Sequence, residues 1–364
     1  SIVTLNVMKG LLSMDQYRLV NSGSPTIRMI QQKLNRRYER FIGMVPCDGL
    51  YGREMNKALI VVLQVIIGAE ADGIFGNGTK NNCPILPDDI GTRISYESAE
   101  EAICLVRYAL CCNDYAVNIS NVQWDTEIET VLRMFQGDMM LTETGKADID
   151  TWMSLLISKG NPDRACTACD TRFEITLSRA AELRRKGYQV VGRYLTGGDF
   201  KELRVEEPQR ILDNGLYFFP IFQEAPSKNT ILYYTEKNGK ADAEKAVRAA
   251  RRFRIPEGNV IYFAVDTDTT SVQITNYVLP YFAALKENMD VAYKIGVYGT
   301  RNVCTQVYKA GYTEASFVSD MSTGYSGNMG FKIPSNWNFD QFAEINMETT
   351  EDGAWAIDKD AYSG

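Results

Sequence analysis

The sequence predicts an α/β protein in which two small, mainly α-helical domains precede a C-terminal (β/α)8 TIM-like barrel. Three observations lead there. A length of 364 residues is too great for one compact core. The first 160 residues carry helical periodicity around paired Asp-Gly turns, and short β-branched or aromatic runs alternate with helical stretches after Asn161-Pro162-Asp163. The expected boundaries are an N-terminal segment at 1–22, helical domains at 23–90 and 95–160, and the barrel at 164–364.

Within the first helical domain, Asp48-Gly49-Leu50-Tyr51-Gly52 returns 24 residues later as Asp72-Gly73-Ile74-Phe75-Gly76. Each copy places glycine where a turn accepts positive φ, followed by an apolar and an aromatic residue suited to plug a small core. Ile27, Ile30, Gln31 and Leu34 fall on one helix face, as do Ala58, Val61, Val62 and Val65. In the second domain Val131, Phe135 and Gln136 precede Leu141, Thr142, Gly145, Asp148, Thr151, Trp152 and Leu155, with Trp152 and Leu155 expected to pack as core on Phe135. Both stretches resemble the peptidoglycan-binding type 1 module, whose signature runs helix, D-G-x-F-G, x-x-T, helix, and Thr79 follows Gly76 as that signature requires. The resemblance implies wall binding, expected in the groove beside the turns.

Eight strands are expected in the barrel, at 164–170, 189–196, 216–224, 259–268, 293–300, 315–322, 339–344 and 357–362. Helical stretches separate them; Ala243, Ala246, Val247, Ala250 and Phe253 line one face of such a helix. An open doubly wound sheet is the alternative arrangement.

Composition narrows the chemistry. A formal net charge of −7 supplies no basic field to gather nucleic acid. No apolar run approaches the roughly 18 residues that span a bilayer. The first ten residues lack a basic region followed by an apolar core, so no signal peptide is expected and a wall enzyme would depend on lysis, a holin-like route or dedicated export. The expected state is a monomer acting outside the cell or in the wall, without a cofactor. Histidine is absent, which removes the usual general base and the commonest metal ligand. Cys166 and Cys169 form a C-x-x-C without a second pair, so they are expected to be buried small residues and no metal site is expected.

Carboxylates remain, and they crowd the ends of the expected strands, where barrel enzymes carry their working groups. Asp170, Glu224, Asp266, Asp268, Asp320, Asp358 and Asp360 all lie at or near such positions. Asp266 and Asp268 are two apart, so on an extended strand both face the same way, and Val260, Tyr262 and Ala264 share their parity. Close carboxylates raise each other's pKa, and glycoside cleavage needs one protonated acid and one charged partner. Asp266 and Asp268 are therefore the expected acid and stabiliser.

The segments Ala168-Cys169-Asp170-Thr171, Val191-Gly192-Arg193-Tyr194-Leu195, the run from Ile261 through Asp266-Thr267-Asp268, and Ile295-Gly296-Val297-Tyr298-Gly299 resemble the glycoside-hydrolase-like domain family long described as of unknown function. That family is similar to glycoside hydrolase family 25, lysozymes whose fourth strand ends in D-x-E. By this resemblance Asp170, Asp266 and Asp268 occupy the catalytic positions, with Asp268 as general acid standing where those lysozymes have their glutamate. Arg193 and Tyr194 are expected beside Asp170. Glu224, Tyr298, Asp320, Trp337, Gln341 and Asp358 complete the expected sugar-binding set. The rim loops are expected at Gly197-Gly198 and at 324–330. The function implied is cleavage of peptidoglycan or a related wall glycan. The alternatives are a non-catalytic wall-binding or delivery protein, favoured by D-x-D in place of D-x-E, and an enzyme on a different wall polysaccharide.

Overall fold

A computed structural model describes residues 4, 5, 8, 19, 20, 23–225, 230–348 and 351–364. Most of the expected N-terminal segment, 1–22, lies outside the described residues. The chain divides into two compact units, Ser1–Asn161 with Met329–Lys332, and Pro162–Asn328 with Ile333–Gly364.

The first unit is helical. Ser24 caps helix Pro25–Ile42, its hydroxyl accepting from the Ile27 amide, and Pro25 sits in the first turn where its missing N–H costs nothing. Helix Tyr96–Cys112 packs on both Pro25–Ile42 and Arg53–Ile66, so the segments 23–90 and 95–160 share one compact unit. Helices Thr126–Asp138 and Ile149–Leu156 begin at capping aspartates, Asp125 and Asp148, each accepting from a backbone amide at 2.9 Å. Phe135, Trp152 and Leu155 are buried, and the Trp152 indole donates to the Pro84 carbonyl.

One device recurs three times in this unit. Gln31, Gln64 and Gln136 sit on the buried faces of their helices, and each side-chain oxygen accepts from a glycine amide, Gly49, Gly73 or Gly145, at 2.8 Å. Each amide nitrogen donates onward to the carbonyl that follows the turn, at Leu50, Ile74 or Lys146. Asp48 and Asp72 accept from the same nitrogens, and Thr79 and Thr151 accept in the later two copies. All three glycines have positive φ, between 69° and 82°, which explains the residue type. The Asp-Gly turns are thus anchored by a buried glutamine. The expected apolar plug is corrected, because Leu50 and Ile74 are exposed. Gln64→Ala removes the partner of the half-buried Gly73 amide and of the Ile74 carbonyl and is expected to cost about 1 kcal/mol, read in a denaturation midpoint of this unit.

The second unit is a closed barrel in the order β1 to β8. Its strands are β1 Ala168–Asp170, β2 Val190–Tyr194, β3 Tyr217–Phe222, β4 Val260–Ala264, β5 Lys294–Gly299, β6 Ala315–Val318, β7 Trp337–Asn346 and β8 Ala356–Tyr362. The first seven run parallel, but β8 is antiparallel to both β7 and β1. The all-parallel expectation fails there because residues 347–355 are too few for a parallel crossover, which takes a dozen or more. Phe219, Tyr262, Phe317 and Phe339 fill the barrel interior, with the Phe219 and Phe339 rings stacked at 3.9 Å.

All eight cysteines are unpaired; Cys169 is buried on β1 and Cys166 lies half-buried before it. Among the described residues no helix is long and apolar enough to cross a membrane, and no group of three or more His, Cys, Asp or Glu side chains is placed to hold a metal ion.

Candidate active site

Two carboxyls meet across the seam where the barrel closes. Asp170 ends β1 and Asp358 lies near the start of β8, and the antiparallel register sets them directly opposite. Such cross-strand partners hold their Cβ atoms about 5 Å apart. Alternation sends both inward, since Ala168 and Tyr362, of matching parity, join the interior cluster while Cys169 and Ile357 pack outside. Gly192 makes this possible on β2, because a Cβ there would stand 2.7 Å from that of Asp170.

Gln341 of β7 ties the pair together. Its amide donates to Asp170 at 2.6 Å and to Asp358 at 3.2 Å, while its oxygen accepts from the Tyr298 hydroxyl at 2.8 Å. The Tyr194 hydroxyl donates to the other Asp170 oxygen at 3.4 Å. Burial pushes Asp170 up to about 7, against the opposing pull of the Gln341 and Tyr194 hydrogen bonds. Burial followed by the charges of Asp170, Glu344 and Asp266 pushes Asp358 up to about 8. The two titrate as one system that keeps a proton near neutral pH.

Raised carboxyls make a signed prediction. An unfolded aspartate titrates near 3.9, so the folded chain binds more protons between about pH 4 and pH 8, and stability falls as pH rises through that window. The melting temperature is expected to drop from pH 5 to pH 8. Asp358→Asn, neutral throughout, is expected to decline less steeply, though not to zero slope, since burial also raises Asp340 and Asp360.

Above the pair opens a cavity of about 400 Å³ lined by Arg172, Phe173, Tyr194, Phe200, Lys201, Gln223, Asp266, Glu344 and Asp358, among others. Asp266 stands exposed at its mouth and accepts from Gln223 at 3.4 Å. The cavity walls withdraw enough water to raise its carboxyl, while Gln223 and Lys201 oppose the rise. Gly197 and Gly198, with φ of 117° and 58°, turn the chain after β2 into a short helix that brings Phe200 and Lys201 to this rim.

Of the expected site residues, Asp170, Tyr194, Asp266, Tyr298, Gln341 and Asp358 come together here. Asp268 is not among the residues that line the cavity. β4 stops at Ala264, so strand alternation lapses before either aspartate, and the Asp268 carboxylate accepts from the Ser326 amide and hydroxyl, both at 2.7 Å. Arg193 points away from Asp170 into the layer behind β2, where it pairs with Glu207 at 2.6 Å, both side chains fully buried. Glu224 pairs with Lys245 at 2.5 Å beyond the end of β3. Asp320 is buried beyond β6 and takes two bonds from the Arg301 Nε, at 2.8 and 3.0 Å. Trp337 opens β7, at the end of the barrel opposite the carboxyl pair, against Phe342, Ala343 and Ala361. Arg172, Phe200, Lys201, Gln223 and Glu344 were not expected. Arg172 and Gln223 lie just past strand ends, where the rule that singled out acids would have found them had it covered bases and amides; Glu344 is an acid near the end of β7 that the rule passed over, and Phe200 and Lys201 sit on the short helix after β2.

The sequence model of the Rv2525c-like, glycoside hydrolase-like domain matches residues 181–362, and that of the FadG/YbfG, PGDB-like domain matches 20–156. Two Bacillus subtilis proteins align over the whole chain: uncharacterized protein YbfG, 43% identical over 384 residues, and uncharacterized protein FadG, 40% identical over 378. The chain spans 51% of the first and 64% of the second. The crystal structure of the Mycobacterium tuberculosis Tat-secreted protein Rv2525c in complex with HEPES covers 54% of this chain and 94% of its own, at 16% identity and a TM-score of 0.45. With half its length matched by the first of these domains, the chain belongs to the Rv2525c-like, glycoside hydrolase-like family.

Proposed function

We propose that the barrel hydrolyses glycosidic bonds of peptidoglycan and that the helical unit, read as modules 23–90 and 95–160, holds it on the wall, outside the cytoplasm. The observation that carries this reading is the Asp170–Asp358 pair, bridged by Gln341 beneath an open cavity. Gln341 donates to Asp170 at 2.6 Å but to Asp358 at the longer 3.2 Å, Tyr194 donates to Asp170, and Asp358 has three carboxylates as neighbours, so the charged form is favoured on Asp170. The shared proton therefore rests on Asp358, which makes Asp358 the general acid in place of Asp268. As the anomeric carbon–oxygen bond breaks, the proton passes to the leaving oxygen, and the ionised carboxylates of Asp170 and Asp266 stabilise the positive ring. Water then adds to the anomeric carbon and restores the proton.

One observation favours the non-catalytic reading: the carboxylate at the position of the family 25 acid, Asp268, is occupied in holding Ser326. Incubation with purified walls separates the two. Hydrolysis releases reducing ends in proportion to time and enzyme, and a binding protein sediments with the walls and releases none.

A further inference from the structure

Beside the carboxyls, the same cavity presents two cations, Arg172 and Lys201, that form no ion pair among the described residues. The Arg172 guanidinium lies over the rings of both Phe173, at 4.3 Å, and Phe200, at 4.7 Å. Among the described residues it makes no ion pair, and no hydrogen bond of its N–H groups is recorded. Lys201 donates to the Gln223 amide oxygen at 2.7 Å and stands 4.5 Å from the centre of the Tyr194 ring, again without an ion pair among the described residues. Burial lowers its pKa, against the opposing pull of the Glu224 and Asp266 carboxylates, neither of which is bonded to it.

Contact with two rings holds the guanidinium at the cavity, and a guanidinium edge matches carboxylate and phosphate oxygens in a two-bonded fork. Phe200, 66% exposed, adds an apolar ring face of the kind on which a pyranose stacks. We infer that Arg172 and Lys201 form an anion subsite beside the Asp170–Asp358 pair, so that the sugar bound there carries a free acidic substituent. This inference rests on the reading of the cavity as a glycan site. In peptidoglycan the lactyl carboxyl is neutral while it is amide-linked to peptide and charged once the peptide is gone. The preferred strand is therefore the peptide-free one, and a reaction that hydrolyses that amide must precede this enzyme. A phosphate-bearing wall glycan offers the same chemistry from another source.

The test uses the full chain and oligosaccharides prepared in four forms: peptide-free with free carboxylates, the same with carboxylates methyl-esterified, peptide-bearing, and phosphate-bearing. Binding is measured by calorimetry with the wild type and with Asp358→Asn, which removes turnover. The expected result is at least tenfold tighter binding of an anionic form than of the ester. Preference for the carboxylate or for the phosphate form identifies which source supplies the anion. Arg172→Ala is expected to collapse that ratio towards one, and Arg172→Lys to restore part of it, since lysine returns the charge without the fork. Equal binding of ester and anionic forms by the wild type overturns the subsite, as does a ratio left intact in Arg172→Ala. Anion-selective binding with no reducing ends released from any form retains the subsite and overturns hydrolysis.

Discussion

Asp358→Asn is expected to lower the release of reducing ends from purified walls by about 10²- to 10⁴-fold, the range that loss of a positioned general acid produces. The variant retains the shape of the carboxyl and the Gln341 contact but has no proton to give. Asp268→Asn serves as the internal comparison. Its side chain still reaches Ser326, and its oxygen can still accept from the amide and hydroxyl there, so activity is expected to stay within a few-fold of the wild type. The reverse outcome, with Asp268→Asn inactive and Asp358→Asn active, would return the acid to the position that the family 25 resemblance gives it. Both variants are expected to bind walls as the wild type does, because the helical unit is untouched. A circular dichroism spectrum and a melting curve for each separate loss of chemistry from loss of fold.

The contrast between these two aspartates shows what alternation along a strand can and cannot deliver. Alternation accounts for Asp170, because β1 runs through to that residue and Ala168, two positions earlier, points inward. For Asp266 and Asp268 the same rule was applied past Ala264, where β4 has ended and successive side chains no longer alternate. Local propensity places a strand but fixes its last residue poorly, and here the last residue decides whether the side chains of Asp266 and Asp268 alternate at all. Arg193 was readable and misread. With Tyr194 taken as inward-facing, its chain neighbour had to face outward.

The direction of β8 was the harder matter. A short hydrophobic run announces a strand without its polarity, and only the nine residues left between the observed strands, 347–355, rule out a parallel return. That polarity is what brings Asp358 opposite Asp170, so the most consequential contact in the site depends on a loop length rather than on a motif. The helical unit shows a parallel case. Its Asp-Gly echo was visible, but the glutamines that hold the turns lie 18 residues before Gly49 and nine before Gly73 and Gly145, on helix faces that otherwise look apolar. A lone polar residue on such a face is the signal, because burial obliges it to find partners.

Stability and chemistry meet at Glu207. Its carboxylate accepts from Arg193 at 2.6 and 3.3 Å, from the Ile175 amide at 2.8 Å and from the Arg204 amide at 2.9 Å, all away from water. Arg193 in turn donates to the carbonyls of Thr171, at 2.7 Å, and Lys201, at 3.0 Å, so one buried pair ties down the two loops that carry Arg172 and Lys201 to the cavity. Glu207→Ala strands a buried guanidinium and two amides, and the expected loss is about 3–5 kcal/mol. For a unit of this size that lowers the melting temperature by on the order of 10 °C. Replacing both partners with apolar residues, Arg193→Met with Glu207→Leu, removes the uncompensated charge and is expected to recover much of the melting temperature. Activity is not expected to return with it, since no apolar side chain bonds the Thr171 and Lys201 carbonyls and both loops lose their tether. A double variant that regains stability and full turnover together would show that the buried pair serves the core alone, whereas recovery of stability without turnover assigns it to the geometry of the site.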